Sequence, residues 1–312
     1  MPDSTYFINN VTEFKHQSVR DLAWAIASPP LITNLSHQCL WQGGMWYQRL
    51  YEGTLPWLIE IDADPAELDE LLSNQKDRRM GKYFETLWSF WLRHCPFYEV
   101  VENNIQIIID GETLGEIDFI LFDKVTKKTV HWEVAVKFYL GVGDTRAMCN
   151  WHGPNLRDRL DVKVEHLMHR QSVISKDIKV ARWLKQQGLG IDACAVVLKG
   201  RLYFPWLSNQ TQDRVKMLPV QCFEELSYGH WFKKGDFDEV FDEKQCFELL
   251  INQGWMEKIP TNSTNVLYSK RGIYEAISDN VVRLPLHLQV CSPCCIRDRV
   301  FLVDDNWPQI NT

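Results

Sequence analysis

The sequence predicts an α/β protein built on a mixed sheet, and three features of residues 80–204 predict it. A strongly amphipathic helix comes first, Met80 to Arg93. A run of alternating strands follows between Phe97 and Tyr139. Two helices then lead into a short apolar strand, Ile191 to Leu198, with Lys199-Gly200 and Arg201 to Phe204 after it. Helix, three strands, helices, strand is the order of a sheet with helices packed against it. On this reading 76–204 is the core, 1–75 a helical extension packed on it, and 205–312 an α+β region.

Each element has a local cause. In the extension, Val19, Leu22, Ala23 and Ile26 recur at helical spacing until Ser28-Pro29-Pro30 stops them; Gly43-Gly44 breaks the next segment, and Asp64-Pro65 opens a short helix. Met80, Tyr83, Phe84, Leu87, Trp88 and Trp91 form one apolar stripe, with Glu85 at its edge, and Cys95-Pro96 ends the helix. Ile105, Ile107 and Ile109 alternate before a turn at Asp110-Gly111.

The central pair of strands, Gly115 to Phe122 and Thr129 to Tyr139, is joined by a polar loop, Asp123 to Lys128. Period-2 patterning places Glu116, Asp118 and Ile120 on one face of the first strand. In the second, Val130, Trp132, Val134 and Val136 share an apolar face, and His131, Glu133, Ala135 and Lys137 share the other. A hairpin that pairs 123 with 128 pairs 118 with 133. Asp118 and Glu133 then stand opposite each other, with Cβ atoms roughly 4.5–5.5 Å apart. Opposed carboxylates repel, so a cation is expected between them, either Lys137 or a divalent metal.

After Tyr139 a loop through Gly141, Gly143 and Gly153-Pro154 leads to a helix predicted over Leu156 to Ile174. Arg159, Lys163, His166 and Arg170 fall at i, i+4, i+7 and i+11 along it, a basic stripe. Between Leu156 and Lys185 there are eight Lys/Arg and four Asp/Glu, a local net charge of +4 in a chain of net charge −7. Binding of a polyanion is therefore expected of a local patch and not of the whole surface. A second helix, Lys176 to Gln187, ends at Gly188.

The remaining region predicts a helix near Glu239 to Asn252, an alternating strand from Leu284 to Val290 and an apolar run at Val300 to Val303. Cys291 and Cys294 have CxxC spacing and Cys295 adjoins them, but a zinc site needs a second pair of ligands; His230 and His287 have no matching spacing. Nine scattered cysteines, with no apolar leader at the start and no unbroken apolar stretch of membrane-spanning length, predict a cytoplasmic protein with reduced thiols.

Glu85 on a helix, then Asp118, then Glu133 with Lys137 on the following strand, then a basic helix, resembles the PD-(D/E)XK nuclease-like superfamily. The segments LAWAIASPPL, GKYFE, GEIDFIL, EVAVKFYL and GPNLRDRLDVKVEHL resemble a family of uncharacterised bacterial proteins attached to it. The resemblance implies an αβββαβ core. It implies a divalent ion, Mg²⁺ or Mn²⁺, held by Asp118 and Glu133 with Glu85 assisting, and Lys137 stabilising charge. It also implies nucleic acid along Arg159, Lys163, His166 and Arg170. One departure stands out: the superfamily's lysine position is occupied by Ala135, and Lys137 lies roughly 13 Å along the strand from Glu133. The expected activity is phosphodiester hydrolysis. A nuclease-like binding module without turnover and a protein-interaction scaffold are the alternatives.

Overall fold

The computed structural model describes residues 14–309 apart from 34, 36–37, 207–214, 225, 227, 251, 257–265 and 292–298. In chain order its main elements are α1 (Gln17–Ala27), β1 (Leu40–Trp41), α2 (Gly44–Ala63), α3 (Ala66–Ser73), α4 (Met80–His94), β2 (Tyr98–Ile109), β3 (Glu112–Asp123), β4 (Lys128–Gly141), β5 (Trp151–His152), α5 (Leu160–His166), α6 (Ile178–Gln186), β6 (Ala193–Pro205), β7 (Tyr228–Lys233), α7 (Phe237–Val240), β8 (Cys246–Leu249), β9 (Leu267–Ser269), α8 (Lys270–Ser278), β10 (Leu286–Cys291) and β11 (Arg299–Val303). They form two compact units. The first comprises Met1–Val136, Val162–Lys199 and Gln221–Phe223, the second Lys137–Asp161, Gly200–Val220 and Glu224–Thr312. Strands β4 and β6 contribute residues to both.

In the first unit β2, β3 and β4 make an antiparallel meander. The β2–β3 turn is Asp110-Gly111, both at positive φ (53° and 83°), the two-residue geometry that matches strand twist. The β3–β4 turn closes at Asp123↔Lys128, where the Asp123 carboxylate accepts the Val125 and Thr126 N–H groups. Strand β6 lies beside β4, and β1 pairs with β6 in parallel. One face of the meander carries Trp132, which packs against Trp46, Trp88 and Tyr98. The N-terminal helices dock on α4 through the Tyr83 hydroxyl, which donates to the buried Asp21 carboxylate at 3.0 Å, and through Trp91 Nε1, which donates to Thr54 Oγ1 at 3.2 Å. Elsewhere Ile107, Ile117 and Ile120 pack on Val180 and Leu184 of α6.

The second unit is a mixed sheet in which β6, β7 and β11 run parallel and β11, β10, β8 and β9 antiparallel. Phe232, Phe237, Phe247, Leu288 and Leu302 form its apolar core with Ile273 of α8. At Gly200 a Cβ atom would collide with the Lys137 carbonyl oxygen, so the residue lets β6 pass close to β4.

Several elements differ from expectation. The helix expected over Glu239 to Asn252 is a single turn, α7, followed by strand β8. Phe237 and Phe241 supply the helical spacing, but the turn at Asp242 to Gln245 ends it, and Phe247 pairs with Val290 and Tyr268. The helix expected from Leu156 begins at Leu160, because Leu156 has φ of 59°; beyond His166 it widens into a π turn over Leu167–Gln171. There the Ser172 N–H and hydroxyl both bond to the Leu167 carbonyl, at 3.1 and 2.7 Å. The loop after Tyr139 is partly strand, since β5 returns to pair with Leu140 and Gly141. Ile191 to Phe204 contains one long strand, β6, and not two short pieces.

The cysteines also depart from expectation. Cys39 and Cys194, neighbours of the paired residues Leu40 and Ala195, form a buried disulfide; Cys95, Cys149, Cys222 and Cys246 are free, and Cys294 and Cys295 lie outside the described residues. Among the described residues no helix is long and apolar enough to cross a membrane.

The disulfide closes a sequence separation of 155 residues, for which loop entropy gives a stabilisation of at most about 5 kcal/mol. A Cys39→Ser/Cys194→Ser double variant is expected to melt several degrees lower than the oxidised protein. Melting at the same temperature would show that the bridge contributes nothing to stability.

Candidate functional site

The β3–β4 register carries two carboxyl groups to one place. Phe119 pairs with Trp132, and the next step along both strands sets Asp118 opposite Glu133. Here the acids take over backbone donors. Asp118 Oδ2 accepts the Val134 N–H at 2.9 Å, and the Asp118 N–H donates to the Glu133 carboxylate.

Glu133 is sealed, 1% exposed, and its carboxyl is held at both oxygens. Oε1 lies 2.8 Å from His131 Nε2, two residues back on the same face of β4, and Oε2 accepts from Gln171 Nε2 at 3.1 Å. His131 is fully buried, and its Nδ1 is 3.0 Å from the Ser175 hydroxyl. The Gln171 amide oxygen is in turn met by Lys163 Nζ at 2.9 Å and by His166 Nδ1 at 3.0 Å. A continuous hydrogen-bonded chain thus runs Ser175–His131–Glu133–Gln171–Lys163. Gln171 ends the π turn and Ser175 sits in the 3₁₀ turn Ile174–Lys176, so the break in the predicted helix is what brings both side chains to β4.

Burial dominates the electrostatics. It pushes the Asp118 carboxyl up to about 8, with the field of Glu133 adding to the rise and the Val134 N–H opposing it. It pushes Glu133 up to about 8 as well, opposed first by the positive field of Lys163. It also drives His131 down to about 4. A raised carboxyl and a lowered imidazole both favour the neutral hydrogen-bonded form of His131–Glu133 over an ion pair. Among the described residues neither Asp118 nor Glu133 is ion-paired with a lysine or arginine. Asp118 is only half-buried, so the site is reached from its side.

The other expected residues divide. Glu85 acts on both acids electrostatically, while its own carboxylate is bonded to Lys82 Nζ at 2.7 Å. Lys137 is ion-paired with Asp158. Arg159 precedes α5 and is paired with Asp161 at 2.6 Å; Lys163 and His166 converge on Gln171, and Arg170 is exposed. The four bases therefore do not form the even stripe that an uninterrupted helix would give. Sequence reasoning missed His131, Gln171 and Ser175, and also Glu116, whose charge raises Glu133. His131 had a legible signal, its shared face with Glu133; Gln171 and Ser175 had none. Among the described residues no group of three His, Cys, Asp or Glu side chains is arranged to hold a metal ion.

A family described as a domain of unknown function (DUF1853) matches residues 20–291. No curated protein and no solved structure matches the chain.

The raised carboxyls have a thermodynamic consequence. Their unfolded values are about 4, so between about pH 4 and 8 the folded state holds protons that the unfolded chain has released, and stability falls as pH rises. Above about pH 6.5 His131 is neutral in both states, so the upper half of that window isolates the acids. In the presence of chelator, Asp118→Asn is expected to raise the melting temperature at about pH 8, and to raise it less at about pH 6.5. Parallel melting curves for the two proteins across this range would mean that Asp118 titrates normally.

Proposed function

The chain belongs to the DUF1853 family, and on the geometry of its acid pair we propose that it is a metal-dependent phosphodiester hydrolase acting on nucleic acid. The observation that carries this reading is the pair itself: two carboxyls brought together on a hairpin, with Lys163 linked to one of them through Gln171 and lending it a positive field. The order α4, β2, β3, β4, α5, α6, β6, interrupted by the two-residue β5 before α5, supports it: with α5 and α6 taken together it follows the helix–three strands–helix–strand order of the PD-(D/E)XK nuclease-like superfamily.

The donor chemistry fits a hard divalent cation. Mg²⁺ is commonly bound through one or two carboxylates, with water and substrate phosphate completing its shell, so a three-residue cage is not required. Asp118 and Glu133 would hold it, with Glu85 contributing field from its ion pair. When bound, such a cation supplies Lewis-acid activation for attack of water on phosphorus. The chain's own groups do the rest. As ligands Asp118 and Glu133 would be ionised, the protons they hold otherwise passing to solvent. Gln171 and the Ser175–His131 pair fix the rotamer of Glu133. Lys163 supplies the fixed positive charge expected of the superfamily's lysine, a part that Ala135 cannot take and for which Lys137 is already committed to Asp158. Nucleic acid would follow Lys163, His166 and Arg170; Arg159, in the second unit, is bonded to Asp161.

Calorimetric titration with Mg²⁺ or Mn²⁺ tests the reading. Wild type is expected to bind and to release protons at pH 7; Asp118→Asn and Glu133→Gln are expected to lose binding. Lys163→Met is expected to keep the metal and lose about two orders of magnitude or more in cleavage rate. Absence of both metal binding and cleavage across single-stranded, double-stranded and branched DNA and RNA would favour the second reading, a nuclease-like binding module without turnover. Ala135 and the Lys137–Asp158 pair speak for that alternative.

Either form of nucleic-acid binding predicts a salt effect. Arg170→Ala should lower the slope of log K against log salt by about 0.7–0.9. An unchanged slope would make Arg170 an ordinary solvated residue.

A further inference from the structure

A pocket of about 420 Å³ lies in the first unit, beside the β3–β4 turn and the start of α2. This volume falls within the range of small-molecule sites. Its apolar lining is half aromatic, Trp46, Phe97 and Tyr98 beside Leu40, Leu50 and Val125, with Trp46 and Phe97 half-buried and Tyr98 buried. The Trp46 indole N–H donates to the Tyr98 hydroxyl, and both rings pack on Trp132, so this wall is fixed before anything binds.

Two charged groups line the same pocket. Arg49 is exposed, and among the described residues it has no carboxylate partner. Asp123 uses Oδ1 for the Val125 and Thr126 N–H groups, at 2.8 and 3.0 Å, leaving Oδ2 as an acceptor. Arg49 and Asp123 are not paired with each other. Flat aromatic walls favour a flat aromatic ring, an unpaired guanidinium favours a carboxylate or phosphate, and a spare carboxylate oxygen favours an N–H.

We propose that this pocket binds a planar aromatic anion: one or two fused rings against Trp46 and Phe97, a carboxylate or phosphate on Arg49, and a ring or exocyclic N–H on Asp123. The inference does not depend on the acid pair or on the hydrolase reading. Such chemistry comes from a small aromatic acid or from a nucleotide, and the test separates the two.

Indole-3-carboxylate and adenosine 5′-monophosphate are titrated separately by calorimetry and by ligand-observed NMR, with neutral indole as the reference. At least one anion is expected to bind about tenfold or more tighter than indole. Binding of the carboxylate alone identifies a small aromatic acid, binding of the nucleotide alone identifies a nucleotide, and if both bind the tighter one names the source. Arg49→Gln, an exposed change whose fold is checked by an unchanged melting temperature, is expected to reduce the anion to the affinity of indole; Arg49→Lys should recover part of the loss. Asp118→Asn should leave binding unaltered. The proposal is overturned if neither anion binds at about 1 mM, if Arg49→Gln binds like wild type, or if Asp118→Asn abolishes binding.

Discussion

Everything at the candidate site depends on the register of the β3–β4 hairpin. Slipping it by one residue would turn Glu133 and His131 to the opposite face and bring Trp132 to this one. The register is fixed from two sides. Asp123 ties the turn with its own carboxylate, and the aromatic packing of Trp132 with Trp46, Trp88 and Tyr98 demands that face. Once both hold, Asp118 and Glu133 have no choice but to meet.

Two acids side by side, one buried and one half-buried, would ordinarily destabilise a sheet. Here the cost is limited by neutrality and by hydrogen bonds. Each acid takes a backbone N–H from the other's strand, and Glu133 is further bonded to His131 and Gln171. With both carboxyls raised toward the neutral form the pair stands without a lysine or arginine partner, and the metal role proposed for it would require both acids to lose their protons. That combination separates the site from a structural ion pair, in which lysine or arginine would hold the acids charged at all times.

The π turn between α5 and the 3₁₀ turn is the second local feature with long reach. A regular helix would carry Lys163, His166 and Arg170 past β4 as a solvated stripe. The extra residue in the turn instead swings Gln171 onto Glu133, and Lys163 and His166 follow onto Gln171. Cys39 Sγ lies 3.3 Å from the Ser172 carbonyl, and Lys176 Nζ donates to the Gln38 carbonyl at 3.0 Å. The disulfide-bonded segment therefore abuts the turn that orders the site.

Local pattern alone was enough for α4, the β2–β3–β4 meander, the turns at Asp110-Gly111 and Asp123 to Lys128, and the meeting of Asp118 with Glu133. Each rests on period 3.6, period 2 or turn chemistry, which act over a few residues and are therefore written in consecutive positions. The partners of those acids were decided only by tertiary structure. Glu133 finds Gln171, 38 residues on; His131 finds Ser175, 44 residues on; Cys39 finds Cys194 across 155. Lys137 illustrates the limit most directly: its phase on β4 is right for the acid pair, but its charge is taken by Asp158. Strand phase determines which face a side chain leaves from, whereas the group it reaches is set by which distant segment packs there.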